Sequence, residues 1–273
     1  MSMPRIPVVL FLAVLSLAAR ADEARPFELG VVPYLPTTRV VTAYQPLRNY
    51  LEASLKRPVV LSTAPSFTTF LDRCLNKEYD LVVLGPGLGR HIQTEAGYVP
   101  LTASKRNIRA LIVTRRDAPY ASLKDLAGKR IALIEPMAGL SQLGRETLRQ
   151  AGLLPERDYR MLIVTSPSNA LQSVLHEEAE AGVITSYLLP QLGDEQKVRL
   201  RIVAESREIP GIWFLLGKNA GTGAENARRL LLAFERTDEG RRFVDDLAFE
   251  GLRPVGEAEM KAMDSFLPEL RKR

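Results

Sequence analysis

From Phe27 to Glu205, short apolar runs alternate with stretches whose apolar positions recur at helical spacing. The runs predict strands at residues 28–32, 59–62, 80–84, 99–103, 109–114, 130–134, 161–164, 182–185 and 200–204, and a late one at 212–218. Leu81-Val82-Val83-Leu84 and Ile131-Ala132-Leu133-Ile134 are apolar without a break, as strands covered on both faces are. One helix is expected to start at Pro46, a favoured first-turn residue, and to carry Leu47, Tyr50, Leu51 and Leu55 on one face. Others are expected over 141–152, 168–176, 224–235, 239–249 and 257–270, with a short capped one at 122–126 that Gly128 closes.

Strand-helix-strand repetition means parallel sheets in an α/β fold. The rhythm breaks where 99–103 and 109–114 follow each other without a helix and restarts at Lys129. The pattern therefore predicts two α/β lobes, each a mainly parallel sheet flanked by helices, joined by two crossings near 104–109 and 206–211. Lobe 1 takes residues 22–105 plus 210–273, lobe 2 takes 106–209, and the C-terminal helices return to lobe 1.

Ligands in open α/β sheets collect beyond the carboxyl ends of strands, where helix N-termini aim free N–H groups at the same space. The loops expected there are Pro33-Tyr34-Leu35-Pro36-Thr37-Thr38, Ala64-Pro65-Ser66-Phe67 and Gly85-Pro86-Gly87-Leu88-Gly89 on one lobe. On the other they are Glu135-Pro136-Met137-Ala138-Gly139-Leu140-Ser141, Ser166-Pro167-Ser168-Asn169 and Ser186-Tyr187. They are rich in hydroxyls, Gly and Pro and poor in acids and metal ligands. Such loops facing each other describe a cleft that grips a small ligand by hydrogen bonds. Any single Ser or Thr among them also reads as a helix cap.

The first residues change the charge picture. Arg5, an apolar run over 8–18 and Ala19-Arg20-Ala21 have the plan of a secretory signal peptide, 1–21. The run is too short to span about 30 Å of hydrocarbon. Removing it takes Arg5 and Arg20 and lowers the formal charge from +5 to +3. The remaining cations are dispersed among acids, which argues against nucleic acid as a partner. A periplasmic monomer without cofactor is expected. The lone Cys74 rules out a disulfide framework and is read as a buried, inert thiol.

Catalytic motifs fail on single residues. Gly85-Pro86-Gly87-Leu88-Gly89-Arg90 has Arg90 where a dinucleotide fingerprint needs its last Gly. Gly139-Leu140-Ser141-Gln142-Leu143 has Leu143 where a nucleophile elbow needs Gly. The two histidines, His91 and His176, are expected at helix ends in surface or capping roles.

Gly30-Val31-Val32-Pro33-Tyr34, the stretch from Tyr44-Gln45-Pro46 to Leu51-Glu52, and Glu78-Tyr79-Asp80-Leu81 leading to Gly85-Pro86 form an ordered set. Ser122-Leu123-Lys124-Asp125-Leu126-Ala127-Gly128-Lys129-Arg130 and Gly251-Leu252-Arg253-Pro254-Val255 extend it. The set resembles the phosphate/phosphite/phosphonate-type periplasmic solute-binding proteins of ABC transporters, over nearly the whole mature chain. The resemblance implies the type II periplasmic-binding-protein fold, a hinged clamp that hands a solute to an ATP-driven transporter. Tyr34 matches that family's pocket. Ala138-Gly139-Leu140-Ser141 replaces its Ser-Thr-Ser-Gly run, Ser168 stands where a His is common, and Thr185 where an Asp is common. The ligand class is thus left wider than phosphonates: a small oxyanion or polar organic solute.

The expected ligand-binding residues are Tyr34, Thr37, Thr38, Ser66, Gly85, Pro86, Arg106, Ser141, Ser168, Thr185 and Tyr187, with Arg106 as counter-charge and Trp213 as a reporter of closure. Two other readings stay open. One is a sensing subunit that presents its liganded surface to a membrane histidine kinase. The other is an exported hydrolase using Ser141.

Overall fold

The computed structural model describes residues 25–272; the expected signal peptide lies outside them. The first lobe opens with β1 (Phe27–Val31), α1 (Thr37–Leu55), β2 (Val59–Ser62), α2 (Phe67–Leu75), β3 (Leu81–Leu84), α3 (Pro86–Ala96) and β4 (Val99–Ser104). The second contains β5 (Asn107–Arg115), β6 (Arg130–Leu133), α4 (Gly139–Gln150), β7 (Arg160–Ile163), α5 (Pro167–Leu175), β8 (Ala181–Thr185), α6 (Asp194–Val198) and β9 (Leu200–Pro210). The chain then returns through β10 (Trp213–Leu216), α7 (Ala224–Phe234), α8 (Asp238–Asp246), β11 (Leu252–Pro254), α9 (Glu257–Lys261) and α10 (Leu267–Leu270).

The strands form two sheets, ordered β11-β4-β10-β3-β1-β2 and β7-β6-β8-β5-β9. Both are mixed. In the first, β1 pairs in parallel with β2 and β3, because helices carry the chain back over the sheet between them. β10 enters from the other lobe without such a helix and runs antiparallel to both β3 and β4. The second sheet repeats the plan, with β6 parallel to β7 and β8, and β5 antiparallel to β8 and β9. The uninterrupted apolar strands Leu81–Leu84 and Arg130–Leu133 are buried along their apolar residues between helical layers.

Four local expectations fail. α1 begins at Thr37, so Pro46 lies inside it. Pro46 cannot donate to the carbonyl of Thr42, yet burial of Val40, Ala43, Tyr44 and Leu47 on one face holds the helix through it. β9 runs on to Pro210, well past the expected end at 204, because β5 pairs with it as far as Asn107↔Pro210. The helix expected over 257–270 breaks into α9, a 3-10 turn at Asp264–Phe266 and α10. His91 lies mid-helix in α3 and is buried rather than at the surface.

Cys74 is buried on α2, and burial pushes its thiol pKa well up, so it stays protonated at neutral pH. Asp80, in the Glu78-Tyr79-Asp80-Leu81 segment, is buried at the start of the sheet. It accepts from Arg25 Nη2 at 2.5 Å and from the Glu28 backbone N–H at 2.9 Å, a structural use of its charge.

The two crossings lie side by side. Only Lys105 and Arg106 separate β4 from β5, and only Gly211 and Ile212 separate β9 from β10. Ser104 N–H donates to Ile212 O at 2.8 Å, and Gly211 N–H donates to Arg106 O at 3.1 Å. A Cβ on Gly211 would stand 2.5 Å from Ser104 Oγ and 2.8 Å from Arg106 O, so only glycine allows this approach. Away from the hinge the lobes also touch. Arg145 and Arg149 of α4 reach Glu269 of α10, and Arg207 of β9 bonds Glu146 and Ser265.

Candidate functional site

A cavity of about 380 Å³ lies between the lobes, bounded at one side by the paired crossings. Its size falls within the range of small-molecule sites, roughly 300–1,000 Å³. Two helix starts enter it from opposite lobes: Gly85-Pro86 at the head of α3, and Ala138-Gly139-Leu140 at the head of α4. Neither Gly85 nor Ala138 has a side-chain oxygen, and neither helix is capped. In α4 the N–H groups of Gly139 and Leu140 therefore lack helical acceptors, while α3 has Pro86 at its first position, which carries no N–H; both helix dipoles present positive ends to the cavity. The two starts are close: a Cβ on Gly85 would stand 3.8 Å from Gly139 N.

Arg106 projects from the first crossing onto the cavity wall. Its guanidinium lies 4.1 Å from the centroid of the Tyr187 ring, donates to Ala248 O at 3.3 Å, and pairs with Glu250 at 3.6 Å. Glu250 is largely solvent-exposed, so water screens that pair and leaves Arg106 able to meet an anion. The loop that supplies Ala248 and Phe249 is tied to the hinge, with Arg106 N–H donating to Phe249 O at 3.0 Å and Lys105 N–H to Gly251 O at 2.8 Å. Ala248 and Glu250 hold φ of 52° and 59°, a left-handed backbone that costs non-glycine residues energy and persists here under those bonds.

Thr185, at the end of β8, is buried on the same wall, and its Oγ1 has no hydrogen-bond partner. A buried hydroxyl left unpaired is costly, which makes it a ready donor to a bound group. Tyr34 shares a hydrogen bond of 2.9 Å between its hydroxyl and that of Tyr44. Burial pushes the Tyr34 pKa up to about 12, against the smaller opposing effect of the Tyr44 bond, so it presents a neutral phenol.

Of the expected site residues, Tyr34, Gly85, Pro86, Arg106, Thr185 and Tyr187 meet around this cavity. Five do not line it. Thr37 and Thr38 sit exposed in the first turn of α1. Ser66 is the N-cap of α2 and accepts from Thr69 N–H at 3.1 Å. Ser141 is buried with its hydroxyl donated to Ile134 O at 2.9 Å. Ser168 is exposed in the first turn of α5, where the neighbouring Pro167 lines the wall instead. Trp213 is wholly buried on β10, inside the core rather than at the cleft surface. The expected polar grip is also modified: Val32, Phe67, Ile108, Met137, Leu140 and Phe249 make much of the wall. Met137 and Leu140 belong to a loop the sequence singled out for its hydroxyl. Ala248 and Phe249 come from a distant segment that carries no local signal of a site.

Two sheets, flanking helices and a cleft beside a double crossing define the two-lobed type II periplasmic-binding-protein clamp. XAC2383 from Xanthomonas citri, solved bound to ATP, superposes with a TM-score of 0.77 at 18% identity, over 91% of this chain and 99% of that one. PhnD1 from Prochlorococcus marinus, in complex with methylphosphonate, gives a TM-score of 0.74 at 13% identity, over 90% and 98% of the two chains. Residues 29–260 match the family described as ABC transporter, phosphonate, periplasmic substrate-binding protein, and the chain belongs to that family. Its role is that of a solute-binding protein. A 90-residue stretch is also 37% identical to the tetrathionate sensor histidine kinase TtrS of Salmonella typhimurium; the match takes 32% of this chain and spans only 15% of the kinase.

Proposed function

We propose that the chain is exported, cleaved after Ala21, and works as a monomeric, non-enzymatic clamp. In this reading residues 22–105 plus 210–273 and residues 106–209 close on a small oxyanion and deliver it to the permease of an ABC transporter. The observation that carries the reading is the pair of uncapped helix starts, α3 and α4, which adjoin on the cavity wall beside Arg106 and the unpartnered Thr185 hydroxyl. N–H groups, a guanidinium and a hydroxyl all donate, so the complementary ligand group is an acceptor rich in negative charge. The use of Ser141 Oγ by the Ile134 carbonyl argues against a nucleophilic serine there.

A thermal-shift screen of phosphate, phosphite, methylphosphonate, ethanesulfonate and acetate tests this directly. A ligand at a hundred times its dissociation constant stabilises by about 2.7 kcal/mol, roughly 5 °C or more for a chain of this size. Stabilisation by at least one oxyanion, and its loss in Arg106→Ala, is the expected result. No shift with any of them would overturn the oxyanion reading.

The 90-residue likeness to TtrS favours a second reading, in which the closed lobes present a surface to a membrane histidine kinase. Stimulation of kinase autophosphorylation by the liganded protein, without uptake through a permease, would select it.

A further inference from the structure

This inference rests on the oxyanion reading and extends it. Donors reach the cavity from few directions: the helix starts, Arg106, Thr185 and the phenols of Tyr34 and Tyr187. Elsewhere the wall is apolar from both lobes, with Val32, Leu35 and Phe67 on one side and Ile134, Met137 and Leu140 on the other. At about 30 Å³ per water-sized group, 380 Å³ holds roughly a dozen such groups. A bare tetrahedral oxyanion accounts for about five of them. Closed in this space, it would turn charged oxygens toward side chains that offer no hydrogen bond, and burial of unpaired charge is strongly unfavourable.

We infer that the ligand is an amphiphilic organic anion: an oxyanion head at the helix starts and Arg106, carrying an apolar substituent of about six heavy atoms against the Val32, Leu35, Met137 and Leu140 surfaces. The Thr185 hydroxyl, buried in the same wall, supplies a donor to the head that no group among the described residues uses. Each methylene buried against such a surface strengthens binding about fourfold.

The test is a calorimetric titration of the mature protein with phosphate, methylphosphonate, propylphosphonate and phenylphosphonate, with benzyl alcohol as an uncharged control. The expected result is affinity rising at least tenfold from methyl- to propylphosphonate, phenylphosphonate tightest, and benzyl alcohol silent. Leu35→Ser and, separately, Leu247→Ser, both at half-buried wall positions, lower the phenyl-to-methyl affinity ratio at least fivefold. Two independent variants guard against one that fails to fold. Phosphate or methylphosphonate binding as tightly as phenylphosphonate overturns the inference while leaving the oxyanion reading in place. Silence across the whole anion series overturns both.

Discussion

The helices α2 and α5 stand at equivalent places in the two lobes, after β2 and β7, whereas α3 follows β3, α4 follows β6 and the two meet at the cleft; the two pairs begin differently. α2 and α5 each start after a serine in extended conformation, Ser66 and Ser166, whose hydroxyl accepts from the N–H three residues on at 3.1 Å. α3 and α4 start after Gly85 and Ala138, which return nothing to the backbone. The first pair has satisfied its helix ends internally; the second leaves its donors for something else. Only the second pair places its N-cap residues on the cavity wall. The helices α1, α6 and α7 also start without a side-chain cap, at Pro36, Gly193 and Gly223, but off the cavity wall, so what sets α3 and α4 apart is the combination of an uncapped start with a place on that wall.

The sharpest way to break that contrast is to plug the gap between the uncapped ends. Gly85 has φ of −69°, which any residue adopts, and a Cβ there meets nothing nearer than Gly139 N at 3.8 Å. Gly85→Leu should therefore fold, project its side chain over the α4 donors, and cut oxyanion affinity a hundredfold or more in calorimetry. Affinity within threefold of the parent protein would show that the ligand sits elsewhere.

Arg106→Ala should have the next largest effect. Losing a charged hydrogen bond costs about 1.5–3 kcal/mol, or roughly ten- to hundredfold in affinity. The guanidinium also stacks on Tyr187, so Arg106→Lys restores charge without the planar contact and should recover only part of the loss. Full recovery by lysine would reduce the role of Arg106 to bare charge.

The double-lobed fold was legible because buried strands and amphipathic helices differ in period, and Leu81–Leu84 against the α2 pattern makes that difference plain. What blurred was long-range. The extension of β9 to Pro210 depends on its partner β5, and the course of α1 through Pro46 depends on the core beneath it. The site loops were also legible, since they follow strand ends. Helix starts beyond those ends are expected to aim N–H groups at the cleft, with Gly85 named among them. Which hydroxyls reach the cavity was not legible, because Ser66 is taken by a cap and Ser141 by the Ile134 carbonyl only once the chain is folded. Apolar wall residues such as Met137 and Phe67 look the same in sequence as core. Phe249 reaches the cavity only through the pairing of its segment with the hinge, which no local pattern encodes.

The capped pair offers the smallest and most specific test. Ser66→Ala and Ser166→Ala each remove one N-cap, at about 1 kcal/mol of stability apiece. The two lie in separate lobes with no shared partner, so their costs should add to about 2 kcal/mol in denaturant unfolding. Oxyanion affinity should stay within twofold, because neither hydroxyl lines the cavity. The reciprocal change, Ala138→Ser, places a hydroxyl where the backbone is already extended, at φ −64° and ψ 141°. It should stabilise the free protein by up to about 1 kcal/mol and weaken the anion severalfold, since the new cap takes an N–H that the ligand would otherwise receive. Loss of affinity in Ser66→Ala, or unchanged affinity in Ala138→Ser, would mean that capped and uncapped helix starts do not divide structure from function in this clamp.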